Sequence, residues 1–567
     1  MYRPLKRKAL AAGLAALLAG AAAGPAGAAV RHGFSLTSSG GVPVESFLSA
    51  ALTARPSVPV VFSLAARTAP KGEGSPAPAS ASVDRMPKKW RRALVQMGLF
   101  AVYATVEYWR NYHQWVEDWQ FELTFADQYR RFLTTEAIRF DSNSYQTNFS
   151  HVMGGVLYYQ IARTNYLTWE QSLLAAFANS TIYEYVSEWR EVISVNDQFI
   201  TTFAGWSLGE SWFQLSDHFH HSKSPVLKIL GFMNPMNKIN QFLDRKNPAS
   251  KAFPLPGWHD FVFSVGWRHS SETARGAFGT GLVSLETQII RTPEYGREGT
   301  FKRVLRDTSL SELSAEVALR QRPAADVQLR EKLSEEVDLY ARIVGLAWYR
   351  QDIDALGRGS ALSIGLGSAL TYLRKRPVFY DSRSYRARFE PLPATPTDFR
   401  DKMTVTHLIG PVVDWTSFGR RLKVRAVADA YVDFAMMNAF AFNAYSASHP
   451  IEGMKTTLNY YGYYYAYGAS FSGRVDLDWG NFWIRGLVSG HVWDSWEGLD
   501  RFEADLTNNV SAFDSRTRFL LKTGWRLPSV PVRAFVAVEG IHRRGRIGDV
   551  RDGSRETRTF AGLSYLF

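Results

Sequence analysis

Two spacings of apolar residues divide the chain. Through the C-terminal half they recur at every second position, the pattern of a strand with one oily and one wet face. Leu422, Val424, Ala426, Ala428, Ala430, Val432 and Phe434 fall on one side, opposite Lys423, Arg425, Asp429, Tyr431 and Asp433. Val337, Leu339, Ala341, Ile343, Gly345 and Ala347 repeat the pattern against Asp338, Tyr340 and Arg342. It predicts twelve strands near 258–269, 276–291, 308–320, 335–350, 359–374, 402–415, 420–434, 458–478, 482–494, 514–526, 530–541 and 556–567. Short turns at Asp352–Gly357, Thr416–Arg420, Trp479–Asn481 and Leu527–Ser529 alternate with long loops through Lys375–Lys402, Met436–Thr456, Glu497–Phe513 and His542–Arg555. Such alternation is expected of a barrel that crosses an outer membrane. Two connections depart from it, with Ser270–Arg275 short and Arg291–Thr308 long.

Before residue 220 the spacing becomes helical. Helices are predicted over Phe149–Thr164, Trp169–Val192 and Val195–Ser216, with Thr168/Gln171 and Ser194/Asp197 spaced as capping boxes at two of the starts. A further helix over Lys88–Tyr108, with a basic start and an apolar run, is expected to pack on the others or rest at a membrane interface. The fold class expected is α+β: a three-to-four-helix module over 86–225 (core 141–217), a connector over 226–255 and an antiparallel transmembrane β-barrel of about twelve strands over 256–567. Residues 1–28 read as a signal peptide, from the basic Arg3, Lys6, Arg7 and Lys8 through an alanine-rich core to Ala26-Gly27-Ala28. Residues 29–85 include a Pro/Ser/Ala-rich stretch and read as a low-complexity linker.

Composition narrows the chemistry. The absence of cysteine excludes disulfides, thiolate metal sites and cysteine nucleophiles. The net charge of +13 is scattered through strands and loops, so it suggests surface chemistry beside anionic lipid and lipopolysaccharide rather than nucleic acid. Aromatic residues at 14 % with a mean hydropathy of −0.19 suit a barrel apolar outside and polar inside. The chain ends on a strand face of Ala561, Leu563, Tyr565 and Phe567, which resembles the terminal strand that barrel assembly machinery recognises. No Gly-x-Ser-x-Gly, His-Glu-x-x-His or phosphate-loop sequence occurs, and no cofactor is called for.

Candidate chemistry lies in the helices. Glu184 and Glu188, four apart on one helix face, repel unless a cation or a proton intervenes, and Arg163, Arg190, His151 or a divalent ion are the candidate partners. Asn196 and Asp197 suit a helix start. Glu210, thirteen residues beyond Asp197, points away from it on an ideal helix. Gly154, Gly155, Gly205 and Gly209 allow close helix approach. Asp217, His218, His220 and His221 have the side chains to bind a metal, but read first as an exposed helix end.

Asp141, Asn148, His151, Gly155, Tyr158, Ala162-Arg163, Ser180, Glu184, Glu188, Ser194-x-Asn196-Asp197, Thr202, Gly205 and Gly209-Glu210 together resemble the Domain of Unknown Function 3943 family of bacterial envelope proteins. Val152 and Tyr183 stand where that pattern has proline and tryptophan. The resemblance implies an outer-membrane setting and carries no assigned activity. Two roles are therefore expected of the polar cluster His151, Arg163, Glu184, Glu188, Asn196, Asp197 and Glu210. One is a non-enzymatic structural, plug or binding element, with the module in the periplasm or inside the barrel; the other is a hydrolase or transferase acting on an envelope lipid or cell-wall intermediate.

Overall fold

The computed structural model describes residues 87–567 except 113–118, 144, 223–224, 246–257, 274–275, 293, 321–333 and 376–401. The predicted signal peptide and linker lie outside the described residues.

The alternating half closes on itself as a barrel of antiparallel strands. They are β1 (Trp258–Glu272), β2 (Gly276–Ile290), β3 in two pieces (β3a, Gly299–Leu305, and β3b, Leu310–Leu319), β4 (Ser334–Ile353), β5 (Gly359–Lys375), β6 (Met403–Phe418), β7 (Leu422–Asn438), β8 (Tyr463–Trp479), β9 (Phe482–Ser495), β10 (Ala512–Arg526), β11 (Val532–Ile547) and β12 (Val550–Leu566). β12 pairs with β1, so the sheet has no free edge. β3a and β3b both run antiparallel to β4, one above the other, so the thirteen strand pieces make twelve staves. The long Arg291–Thr308 connection is thus a shorter turn followed by a strand that breaks at residues 306–309. His542–Arg555 is corrected in the same sense. Its strands continue to a two-residue turn at Gly548-Asp549, where Gly548 takes a φ of +54°, a value easy only for glycine. Arg544 and Arg546 point outward along this extension, so charge on both faces gave it the look of a loop.

Inside and outside follow from side-chain parity. A cavity of about 230 Å³ is lined from all twelve staves, including Asp260, Glu312, Asp338, Arg342, Asp429 and Arg474. Arg342 bridges Glu312 at 2.6 Å and Asp429, and Arg474 reaches Glu312 at 2.7 Å, so the centre is crossed by ion pairs. Each mouth is filled as well. At the end where β1 begins and β12 stops, called here the near end, Tyr295 bonds Thr416 at 3.0 Å and stands edge-on to Phe418. At the far end the β7–β8 connection turns inward, burying Phe440, Phe442 and Tyr445 against the inner faces of Met437 and Tyr464.

The helices that precede the barrel do not enter that lumen. They are α1 (Trp90–Tyr112), α2 (Phe125–Leu133), α3 (Tyr145–Thr164), α4 (Trp169–Ile182), α5 (Val195–Phe199), α6 (Gly205–His221), α7 (Pro225–Leu230) and α8 (Pro235–Leu243). α7 and α8 occupy the stretch read as a connector and pack back on the module, where Asn240 bonds Thr164 at 2.9 Å. Phe149, Val152, Val156, Ile200, Leu208 and Leu215 share one core with Leu313, Ala315, Leu339, Ala341, Leu370 and Tyr372. These strand residues alternate with the lumenal ones, so they belong to the outer wall. The module therefore lies against the outside of the barrel, neither plugging it nor hanging beneath it. The apolar face Val337–Ile343, which the alternation assigns to lipid, is covered by helix instead. The remaining outer face, with Val265, Trp267, Phe519, Leu521, Val536 and Val538, is exposed.

Gly345 makes this docking possible. The rings of Trp206 and Trp169, stacked on each other at 4.8 Å, sit over it so closely that a β-carbon would meet Trp206 at 3.0 Å and Trp169 at 3.2 Å. Gly345→Leu should therefore lift α6 from the wall at a cost of about 1–3 kcal/mol, the usual penalty of overpacking. Limited proteolysis should then cut within the helices while the barrel keeps its heat-modifiable gel mobility; equal protease resistance in both proteins would count against the contact.

Candidate functional site

The helices are wound irregularly where their polar residues gather. α4 ends in a π-helical turn over Tyr183–Ser187, and a second π turn, Ile200–Ala204, joins α5 to α6. Such turns place side chains off the α-helical register. Glu184 lies within the first of these turns and Glu188 closes it. The Thr168/Gln171 capping box forms as expected, with both reciprocal bonds present. The Ser194/Asp197 box does not. Ser194 N–H donates to the Glu184 carboxylate at 2.9 Å, the Ser194 hydroxyl donates to Asn196 at 2.8 Å, and Asp197 faces His151 at 3.5 Å. A cap gives way here to a longer-range network that employs the same atoms.

At the centre of that network is Asp141, just before α3. It accepts from Tyr465 at 2.7 Å and from the amides of Asn148 and Asn196, each at 3.1 Å. Asn196 returns a bond by accepting from Asp141 N–H at 3.1 Å and donates to Asn148 at 2.8 Å. Asn148 donates to the hydroxyls of Tyr463 at 2.9 Å and Tyr465 at 2.8 Å. Both tyrosines stand on the outer wall at the far end of β8. This knot ties the start of α3, the start of α5 and the barrel together.

A second knot lies midway down the wall. Arg163, wholly buried, forks onto Glu210 at 2.7 and 2.9 Å and reaches Asp307 at 3.2 Å. Glu210 also accepts from Tyr159 at 2.9 Å and from Gln214 at 2.8 Å, and Gln214 in turn accepts from Ser311 on β3b at 2.9 Å. Asp307 sits in the break between β3a and β3b. Trp169 donates to the Arg306 carbonyl there at 2.9 Å. The strand thus opens where the module grips it.

Of the residues singled out in the sequence, His151, Glu184, Asn196 and Asp197 come together around Asp141, with Glu188 close by, whereas Arg163 and Glu210 form the separate second knot. None of the three basic side chains expected as partners sits on the acid pair. Arg163 is held by Glu210, Arg190 pairs with Glu122 and lies 3.8 Å over Trp119, and His151 faces Asp197. Among the described residues no group of three or more His, Asp or Glu is arranged to hold a metal. The C-terminal end of α6 is also not an exposed tail. Asp217 and His220 are buried, and His218 lies 4.8 Å from Phe261 of β1. Gly154 has open space around it, unlike Gly155, where a β-carbon would lie 2.0 Å from the Thr201 carbonyl.

Arg131, Tyr463, Tyr465 and Asp307 escaped the sequence reading. Arg131 is buried and bonds the carbonyls of Tyr185 at 3.1 Å, Glu188 at 3.0 Å and Glu191 at 2.8 Å, so it caps the end of α4. The one local signal was the run Tyr463-Tyr464-Tyr465, which puts aromatics on both faces of a strand start.

Residues 137–236 match the family model described as Domain of unknown function (DUF3943). No curated protein matches the chain. Among solved structures, a deltaS2 mutant of the TodX monoaromatic hydrocarbon channel aligns at 7 % identity and a TM-score of 0.21, covering 56 % of this chain and 91 % of its own. OmpT, an outer membrane protein of Vibrio cholerae folded in vitro, aligns at 8 % and 0.20, covering 55 % and 97 %. OccAB4 of Acinetobacter baumannii aligns at 7 % and 0.14, covering 55 % and 99 %. Overlaps this slight carry no functional inference.

Proposed function

We propose, for a chain whose residues 137–236 carry the DUF3943 domain, that the protein is a non-conducting outer-membrane barrel bearing this domain on its outer wall as a non-enzymatic structural and binding element. An edgeless sheet with exposed apolar residues outside and ion pairs inside suits a bilayer. The near end then faces the periplasm, and the last strand, ending at Phe567, is the part the assembly machinery would read. Lipid and lipopolysaccharide are the partners this setting offers.

One observation carries the reading. The polar residues that resemble the family pattern are spent on fastening: Asp141, Asn148 and Asn196 on Tyr463 and Tyr465, and Arg163 and Glu210 on Asp307 and, through Gln214, Ser311. Groups engaged in this way brace a joint, since each buried polar atom left without its partner would cost about 1–3 kcal/mol. A plug role is set aside because the lumen is filled by its own side chains. The enzymatic alternative keeps one observation in its favour: His151 beside Asp197 retains 21 % of its side-chain exposure, the one half-open acid–base pair of the cluster.

Two measurements test the proposal together. The purified full-length protein in planar bilayers should give no discrete conductance steps. Envelope lipids incubated with it should keep their masses, identically for the wild type, His151→Ala and Glu184→Gln. Turnover that disappears in either variant would replace the structural reading with the enzymatic one.

A further inference from the structure

The module is built inside out. α3 and α6, its two central helices, expose almost nothing, and the groups sealed among them include Arg131, Arg163, Asn196 and Glu210. The faces turned away from the barrel are instead apolar. On α1, every exposed position between Arg91 and Arg110 is Leu94, Val95, Gly98, Leu99, Val102, Tyr103 or Val106. On α4 and its π turn, Leu174, Phe177, Ile182 and Val186 are exposed, and the first charged exposed group is Glu170 at the helix start. A water-facing domain carries the opposite polarity, and contiguous exposed apolar surface on this scale marks a contact with something oily.

We propose that lipid acyl chains cover this face, so that the module lies within the bilayer beside the barrel. The inference rests on the membrane reading of the barrel. Three further observations select lipid over a protein partner. First, the module has the height of the barrel. Its near-end contact is His218 with Phe261, and its far-end contacts are Phe140 N–H donating to Leu499 at 2.7 Å and Glu191 with Arg501, both in the β9–β10 connection. Second, Arg110 lies nineteen residues beyond Arg91. At 1.5 Å per residue that separation is about 28 Å, close to the thickness of the hydrocarbon core. Exposed Lys88 and Arg91 at one end and Arg110 at the other bracket the uncharged stretch as headgroup anchors would. Third, the helices pack as they do in lipid, through small residues and buried polar bonds: Gly155 against Thr201, Gly205 against Gly155, and the Arg163–Glu210 pair.

Among the described residues no helix is by itself long and apolar enough to cross a membrane. The inner face of α1 is the reason. Arg92 bonds Asp244 at 2.7 Å, Gln96 bonds Asn240 at 2.6 Å and Thr105 bonds Ser187 at 2.6 Å, so its average hydropathy is low although its outer face is not. These groups find partners only in the assembled module, which therefore enters the bilayer as a unit with the barrel.

The chain has no cysteine, so single cysteines can be spin-labelled cleanly in the full-length protein refolded into phospholipid vesicles. Leu99→Cys and Leu174→Cys report on the module. Val538→Cys reports on the exposed outer wall of β11, and Asp549→Cys on the far-end turn. The proposal expects the two module sites to match Val538→Cys, with a high collision rate for oxygen and a low one for a water-soluble nickel chelate, while Asp549→Cys shows the reverse. Nickel accessibility at the module sites with Val538→Cys still in lipid would overturn the inference and leave the membrane barrel standing. Shielding of the module sites from both reagents would overturn it in favour of a protein cover. Nickel accessibility at Val538→Cys would overturn the membrane reading itself.

Discussion

The contact of α6 with the outer wall of β3 and β4 is the constraint from which the rest of the structure follows. α6 is sandwiched between the barrel and the other helices, with no exposed position from Gly205 to His220, so every polar group it carries there needs a partner inside the seam. Ser211 donates to its own helix at Ser207 and also approaches the Glu312 carbonyl at 3.4 Å, Gln214 accepts from Ser311, and Glu210 takes Arg163. The wall has adapted in turn. β3 opens at residues 306–309 to present Asp307 to Arg163 and the Arg306 carbonyl to Trp169, and Gly345 leaves room for two tryptophan rings. A barrel needs neither feature for its own closure.

A buried ion pair such as Arg163–Glu210 is a poor source of net stability, because two charges have to be desolvated to form it. Its value is specificity. Only one placement of the module brings Arg163, Glu210, Gln214, Ser311 and Asp307 together, and the Asp141 knot at the far end imposes a second condition on the same rigid body. Two fastenings at different heights fix both the position and the tilt of the helices. The barrel contributes its strength through the closed hydrogen-bond ladder and the lumenal ion pairs, and its lumen is accordingly filled rather than open.

The barrel was largely legible from the chain, since alternation in β4 and β7 records which side of each stave meets charge. The readings that failed have a common cause. Alternation says that Val337, Leu339 and Ala341 need an apolar neighbour, but it does not say whether that neighbour is lipid or helix. Extended charge on both faces, as along Arg543 to Arg546, hides a strand that has left the apolar zone. In the module, helix existence and the residues Asp141, Asn148, His151, Arg163, Glu184, Asn196, Asp197 and Glu210 were visible, yet their pairing was not. The two π turns rotate Glu184 and residues 201–204 out of α-helical register. The partners Tyr463, Tyr465, Asp307 and Ser311 lie far away in sequence, so no local spacing could have signalled them.

The central claim is that the module docks on the outside of the barrel, and a cysteine cross-link tests it most directly in this cysteine-free chain. Gln214→Cys paired with Ser311→Cys joins α6 to the outer face of β3b, whereas Gln214→Cys paired with Arg342→Cys requires α6 to be in the lumen. Mild oxidation of the membrane-inserted protein is predicted to cross-link the first pair, seen as a mobility shift of the denatured chain, and to leave the second unlinked. A cross-link in the lumenal pair, or in neither pair with both variants correctly inserted, would contradict the account.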